Sequence, residues 1–432
     1  MANLEKYQVD HLFLLIGENP LPNYVAAKLL LNKGGFLYLV HTSGTNAQAI
    51  RLRKILDREI EDYQPSQLVS LEDYDSDAYR IQRKILEQVE SLKDGKVGMN
   101  YTGGTKAMAV HAYRAMLQAT QNKGQEAVFS YLDPRRLEMC IDREDGDRIR
   151  IKIEPKTLSV DLKIVFELHA WSLVSKPSET PIHPSAAEKF AKFHAREDYG
   201  KHWRKWCDNT LRDLTKSKKG GWPASEQELK QVEPLELDSL ESYSDIKSAL
   251  SCLGVTENTL SIQSLNGQEF KKLKHICKWL DGEWLEHYVL HKIKEISNEK
   301  EIHDSAVSFN MAVAGSKENK FEFDVAFMRG YQLFAISCTA DSTKHLCKQK
   351  LFEAYIRARQ LGGDEARVAL VCCASQKDIL KLRTEITNVL QSSPSMSSHR
   401  DSKIVVLGRE DLLDLPNKIS EWIDENDWEV NQ

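Results

Sequence analysis

The sequence predicts an α/β protein built as two α/β domains joined by a helical connector. Three observations carry this. The chain has 432 residues, too many for one ordinary core. Its first and last thirds each alternate buried apolar runs with amphipathic helical patterns, the mark of a sheet covered by helices. The stretch between them carries helical periodicity without buried strand runs. A hydrophobic content of 41% and a charged content of 28% describe a globular chain, and the net charge of -5 gives no global pull toward nucleic acid, so any such binding needs a local basic patch. The 8 cysteines form no CxxC pair and no zinc-like spacing, which fits a reduced cytoplasmic setting. No apolar stretch approaches the roughly 20 residues that a membrane span needs, so no membrane partner is expected.

In chain order, "HLFLLIG" (His11 to Gly17) reads as a buried strand and "NYVAAKLLLN" as the helix after it. "FLYLVHT" (Phe36 to Thr42) is a second strand, followed by the helix "NAQAIRLRKILDREI". "SDAYRIQRKILEQVESL" is a long amphipathic helix, "KVGMNYT" the next strand and "TKAMAVHAYRAMLQA" its helix. "EAVFSYLD", "LEMCID" and "RIRIKI" then read as a mixed or antiparallel edge. Residues 1–155 are thus expected to form a Rossmann-like domain.

Residues 156–265 form the connector, with "FELHAWSL" and "AAEKFAKFHAREDYGKHWRKWCDNTLRDLTKS" helical, "KSKKGGWPAS" a loop and "EPLELDSLESYSD" linker-like. Residues 266–432 form the second domain. There "FKKLKHICKWLDGEWLEHYVLHKIKEIS" reads as two helices broken at Asp281-Gly282, and "VSFNMAVA", "KFEFDVAFMRG" and "YQLFAISCT" as strands, the last two a hairpin around Arg329-Gly330. "KHLCKQKLFEAYIRARQLGG" is a helix stopped by Gly362-Gly363, and "EARVALVCCAS" and "SKIVVLG" are further strands.

Ligands of open α/β sheets bind beyond the carboxyl ends of the strands. Three first-domain loops leave those ends: Glu18-Asn19-Pro20 after Gly17, Thr42-Ser43-Gly44-Thr45, and Thr102-Gly103-Gly104-Thr105-Lys106. Each joins small hydroxyl or amide side chains to a following helix, whose amino-terminal amides favour an anion, and Lys106 adds a positive charge. One such loop alone would be an ordinary capped turn; three on one edge argue for a ligand site. No GxxxxGK[ST] occurs, which excludes a P-loop, and "GENPLPN" is not GxGxxG.

In the second domain, Glu322 and Asp324 stand two apart on a strand and so face one way. Glu283 and Glu286 lie at i, i+3 on a helix, and Lys344, His345, Lys348, Lys350, Arg357 and Arg359 make a basic run. Carboxylates converging on a strand pair suit magnesium or manganese, which would serve phosphodiester hydrolysis, and the basic run suits a phosphate backbone.

The stretches "LFLLIGENPLPNYVAAKLL", "FLYLVHTSGT" and "NYTGGTKAMAVHAY" resemble the CARF sensor domain of type III CRISPR ancillary proteins, with "TGGTK" as the most specific mark. The resemblance implies a homodimer that binds a cyclic oligoadenylate across its two-fold axis, with Glu18, Asn19, Pro20, Thr42, Ser43, Gly44, Thr45 and Thr102 to Lys106 touching ribose-phosphate and adenine. A cyclic tetra-adenylate suits a two-fold pocket. "GEWLEHYV", "FEFDVAFMRGYQLFAISC" and "LFEAYIRARQLGG" resemble the PD-(D/E)xK (restriction-endonuclease-like) core of CARF-linked nucleases. That resemblance implies Glu286, Asp324, Ser337 and Cys338 as the metal-site residues, with Glu322 next to Asp324. The strand motif itself departs: where (D/E)xK is expected the chain reads Ser337-Cys338-Thr339. Three outcomes stay open here. The lysine and second carboxylate have migrated to Lys344 and Glu322, which is the favoured reading; or the nuclease is dead; or the domain only binds nucleic acid. The expected function is a cyclic oligoadenylate-activated, metal-dependent nuclease acting on DNA, RNA or both, and the alternative is a sensing regulator with an inactive nuclease-like domain.

Overall fold

A computed structural model describes residues 4–142, 146, 149–174, 176–216, 221–222, 226–229, 233–265, 269–270, 272–313, 321–390 and 403–431. Apolar runs in the first third supply strands β1 (Val9–Leu15), β2 (Leu31–His41), β3 (Gln64–Ser70), β4 (Val97–Asn100), β5 (Val128–Asp133), β6 (Glu138–Ile141) and β7 (Ile149–Lys152). They pair in the order β3-β2-β1-β4-β5-β6-β7. The first five run parallel, and β6 and β7 close the sheet antiparallel. Helices α1 (Leu21–Leu30), α2 (Asn46–Glu59), α3 (Ala78–Glu90) and α4 (Lys106–Asn122) cover the faces. The order reverses between β1 and β4, so a crevice opens at the carboxyl ends of those two strands, where an open sheet takes its ligand.

The two α/β layers share one apolar core. Helix α5 (Leu162–Leu168) lies between α2 and the second sheet, and its Leu162, Val165 and Phe166 pack in the same cluster as Leu52 and Leu56 of α2 and Phe309 and Phe323 of the second domain. Arg51 Nε donates to Leu168 O at 2.8 Å, and Arg58 pairs with Glu167 at 2.7 Å.

The second sheet is built from β8 (Trp171–Leu173), β11 (Asp304–Val313), β12 (Phe321–Arg329), β13 (Gln332–Thr339), β14 (Arg367–Cys372) and β15 (Ile404–Leu407), in the order β15-β14-β13-β12-β11-β8. The short strands β9 (Leu235–Glu236) and β10 (Thr259–Leu260) pair with each other inside the middle region. The β12–β13 hairpin turns at Gly330, whose φ of 62° suits glycine and where a Cβ would come within 3.1 Å of Pro155. Helix Lys344–Gly362 stops where Gly363 takes φ 69°.

Several expectations are corrected. "FELHAWSL" is not one helix: α5 ends at Leu168, and Trp171–Leu173 pairs antiparallel with β11 as the outer strand of the second sheet. β3 lies in "QPSQLVS", whose mostly exposed, polar pattern hides an edge strand from a search for buried runs. "EPLELDSLESYSD" contains β9 and a short 3₁₀ turn rather than a plain linker. Most of "KSKKGGWPAS", and residues 314 and 320 at the ends of two expected strands, lie outside the described residues. All 8 cysteines are free thiols, and among the described residues no helix is long and apolar enough to cross a membrane.

Candidate active site

The helix carrying Glu286 is interrupted where the sequence places Asp281-Gly282. Residues Trp279–Glu283 form a π-turn in which Gly282 leaves helical geometry, and Trp284–Ile296 then continues. This offset delivers Glu286, in the first turn of the new helix, against the second sheet. Glu286 is 9% exposed and accepts a 2.5 Å hydrogen bond from Ser308 Oγ. Ser308 lies on β11 between Val307 and Phe309, which pair with Val325 and Phe323 on either side of Asp324, and it adopts a left-handed φ of 51°. A non-glycine residue held there is strained by about 1–3 kcal/mol, a feature that clusters at functional sites.

Asp324 is 8% exposed. Its Oδ2 accepts from Ser337 Oγ at 2.9 Å, from the Cys338 amide at 2.7 Å and from Lys350 Nζ at 3.4 Å. Glu322, exposed and two residues back on β12, shares a recess with Asp324, Ser337 and Lys350. Glu283 is bridged by Lys278 Nζ at 2.7 Å. A cavity of about 260 Å³ opens over Glu283, Glu286, Cys338 and Lys350.

The electrostatics show a site short of positive charge. Burial pushes the Glu286 carboxyl well above the ordinary range, and repulsion from Asp324 and Glu283 adds to this against the pull of Ser308. Glu283 is also pushed up, by burial and by Glu322 and Asp324, despite Lys278. Lys350 is held above its ordinary value: burial opposes its charge, but Asp324 and Glu286 outweigh it. Carboxylates that converge and push Glu283 and Glu286 up fit a hard divalent cation, which relieves the repulsion and takes oxygen ligands.

The structure brings Glu286, Glu322 and Asp324 together. Expectation and structure part for three residues. Lys344 is paired with Glu385, which Lys348 also reaches at 3.2 Å, so the migrated-lysine reading does not fall on Lys344. The lysine at Asp324 is Lys350. It lies beside the core-facing stripe Cys347, Leu351 and Ala358, and that stripe was the available signal. Ser337 and Cys338 spend their hydroxyl and amide on Asp324, and burial next to Asp324 and Glu286 pushes the Cys338 thiol far up, so neither side chain reads as a metal ligand. Ser308 carries no local signal, and Glu283 stands at i−3 from Glu286. A second group with metal-like spacing, Glu188, His291 and Glu295, lies apart, and Lys292 bonds both of its glutamates.

The three first-domain loops stand at the β1–β4 crevice and beside it. Gly103 is glycine because a Cβ would fall 2.2 Å from Leu15 O, and a Cβ on Gly17 would meet Gly104 N at 3.0 Å, so these glycines let the two strand ends touch each other. Most of the threonine hydroxyls build the loops. Thr42 and Thr45 bond across their turn at 3.0 and 3.3 Å, Thr102 Oγ1 accepts from Leu132 N at 2.7 Å, and Thr105 caps α4 through Met108 N at 3.1 Å. Pro20 is buried. Glu18, Ser43, Gly44 and Lys106 stay exposed along the crevice rim. Asn19 Oδ1 accepts from Leu21 N at 3.0 Å and stands 3.1 Å from His169 Nε2, and a Cβ at Gly363 would fall 2.5 Å from Asn19 Nδ2.

The raised Glu286 pKa has a stability consequence. The folded chain binds this proton more tightly than the unfolded chain, so without metal its contribution to stability falls as pH rises from the ordinary carboxylate range toward neutrality. Glu286→Gln is expected to raise the metal-free melting temperature at pH 7.5, at about 1 °C per kcal/mol of burial cost relieved, and to do less at pH 5. Melting curves at both pH values check this, and an equal shift at both would contradict it.

Residues 273–425 match the family model described as Card1-like, endonuclease domain. Among solved structures, the protein VC1899 from Vibrio cholerae superposes with a TM-score of 0.69 at 16% identity, over 96% of this chain and 98% of that one. Can2 from Sulfobacillus thermosulfidooxidans, solved in complex with cyclic tetra-adenylate, superposes with a TM-score of 0.64 at 15% identity, over 96% of this chain and 99% of that one. At these identities the likeness is one of fold, and it extends over both domains. No curated protein sequence matches the chain.

Proposed function

We propose that this protein, whose residues 273–425 match the Card1-like endonuclease domain, is a metal-dependent nuclease switched on by a cyclic oligoadenylate in type III CRISPR defence. The convergence of Glu286, Asp324 and Lys350, with Lys350 lining both the recess of Asp324 and the cavity over Glu286, lies inside the matched residues and carries this reading. Asp324 and Glu286 would hold magnesium or manganese, with Glu283 and Glu322 beside them, and the ion would supply positive charge against the charge that develops on the phosphodiester. Lys350 remains protonated because Asp324 and Glu286 hold its pKa up, so it serves as a fixed positive charge on the phosphate or its attacking water rather than as a base. Ser337 and the Cys338 amide orient Asp324, and Ser308 keeps Glu286 from rising further, which favours its charged, metal-holding form.

The activating ligand would lie at the β1–β4 crevice, with Glu18, Ser43, Gly44, Lys106 and the loop amides facing it and two chains sharing it across a two-fold axis. A cyclic tetra-adenylate has the matching symmetry, and the fold shared with Can2, solved with that ligand, supports the choice. The path to the nuclease site is short. Asn19, in a crevice loop, fills the space against Gly363, which ends the helix that carries Lys350. Gly363→Ala would push on Asn19 and strain its own left-handed backbone. It is expected to preserve ligand affinity while lowering the ratio of ligand-activated to basal cleavage by about tenfold, a coupling change of about 1.4 kcal/mol. Calorimetric titration of the ligand beside cleavage assays reads both quantities, and an unchanged ratio would remove Asn19–Gly363 from the path. The function itself is tested by incubating the purified chain with manganese, cyclic tetra-adenylate and labelled DNA or RNA; intact substrates in every combination would overturn it.

A further inference from the structure

The middle region carries no motif, yet it forms one wall of the nuclease cavity. The kink at Gly282 loosens the helix around Trp279–Glu283, and the middle region takes up the carbonyls that face it. Trp203 Nε1 donates to Leu280 O at 3.2 Å, and Arg204 Nη1 donates to Asp281 O at 3.2 Å. The chain that follows is itself a π-turn, Cys207–Arg212, and it brings Arg212 round to the same place. Arg212 Nε bonds Asp281 Oδ1 at 2.8 Å, its Nη1 bonds Asp208 Oδ1 at 2.5 Å, and Arg204 Nη1 stands 3.4 Å from Asp281 Oδ1. Both guanidiniums thus converge on one carboxylate. Their side chains are 22% and 33% exposed, and they line the cavity that holds Glu286 and Lys350.

Arg204 and Arg212, held by Asp281 and, for Arg212, also by Asp208, line a cavity that contains Glu286 and Lys350 of the candidate hydrolytic centre. Guanidinium pairs match the non-bridging oxygens of a phosphodiester, and a pair fixed in advance by Asp281 loses little freedom on binding one. On the reading of this cavity as the nuclease site, we infer that Arg204 and Arg212 form a phosphate subsite for the substrate strand, next to the phosphodiester at Asp324 and Glu286. The substrate class is a nucleic acid held by its phosphate backbone, DNA and RNA sharing that chemistry. The middle region is therefore part of the active site.

The test is oligonucleotide binding by the full-length Asp324→Asn chain with cyclic tetra-adenylate and magnesium, followed by fluorescence anisotropy of labelled 12-mer DNA and RNA between about 50 and 200 mM salt. Adding Arg204→Ala and Arg212→Ala is expected to weaken binding at low salt by at least about tenfold. It should also flatten the slope of log affinity against log salt by about 1.4–1.8, since each phosphate contact contributes about 0.7–0.9. The Arg204→Lys, Arg212→Lys pair keeps the charges but loses the fork to Asp281. It should retain most of the salt slope if the role is phosphate binding, and behave like the alanine pair if the role is to tie two elements together. Unchanged affinity and slope in the alanine pair, or a lysine pair as impaired as the alanine pair, would overturn the subsite. An Asp324→Asn chain that binds neither oligonucleotide would overturn the nuclease reading itself, and the subsite with it. Ligand titration of every variant verifies that each is folded.

Discussion

An Asp324→Asn chain is expected to lose at least about 10³-fold in cleavage, a cost of about 4 kcal/mol in transition-state stabilisation, while binding cyclic oligoadenylate as before. The carboxylate is the centre of the site: Ser337, Cys338 and Lys350 all point their donors at one of its oxygens. Asparagine has the same shape and keeps an acceptor for Ser337 and the Cys338 amide, so the fold should hold. What it loses is the charge that would hold a cation and that pairs with Lys350. Because Asp324 lies on β12 and the crevice loops lie on the other sheet, ligand affinity is a clean control. Single-turnover cleavage of a labelled strand beside calorimetric ligand titration reads both. Cleavage that survives the change would move the chemistry elsewhere. A parent chain that binds ligand and never cleaves would favour a sensing regulator.

Lys350→Ala is expected to lower cleavage by about 10²–10³-fold, the range for removing one preorganised charged partner of a transition state. Lys344→Ala should stay within about threefold of the parent, because Lys344 spends its charge on Glu385. The two residues share a helix, yet only Lys350 turns toward Asp324. Comparing kcat for the two variants under saturating ligand therefore decides whether the lysine has migrated and to where. Equal losses in both would mean that the helix acts only as a basic surface.

The candidate site was half legible in the chain. Glu322 and Asp324 could be placed on one face because a strand alternates with a period of 2, whatever it packs against. The break at Asp281-Gly282 was legible because glycine inside a helical pattern is costly. Lys350 was visible only as one of a basic run, since which face of a helix looks inward depends on what it packs against. Here Cys347, Leu351 and Ala358 seat on the sheet and carry Lys350 with them. Ser308 and the arginines of the middle region had no local pattern at all.

By itself the sequence determined the two α/β units, the loops at the strand ends and the strand-borne carboxylate pair, because hydrophobic period, turn chemistry and alternation are properties of neighbours along the chain. Tertiary structure alone decided that Lys350 meets Asp324, that Ser308 meets Glu286, that Asn19 rests on Gly363 and that Arg204 and Arg212 enter the nuclease cavity. Those pairs are separated by 22 residues at the least and by well over 300 at the most. Their meeting is set by how helices rotate and kink to bury their apolar stripes against two sheets that share one core, which no local pattern encodes.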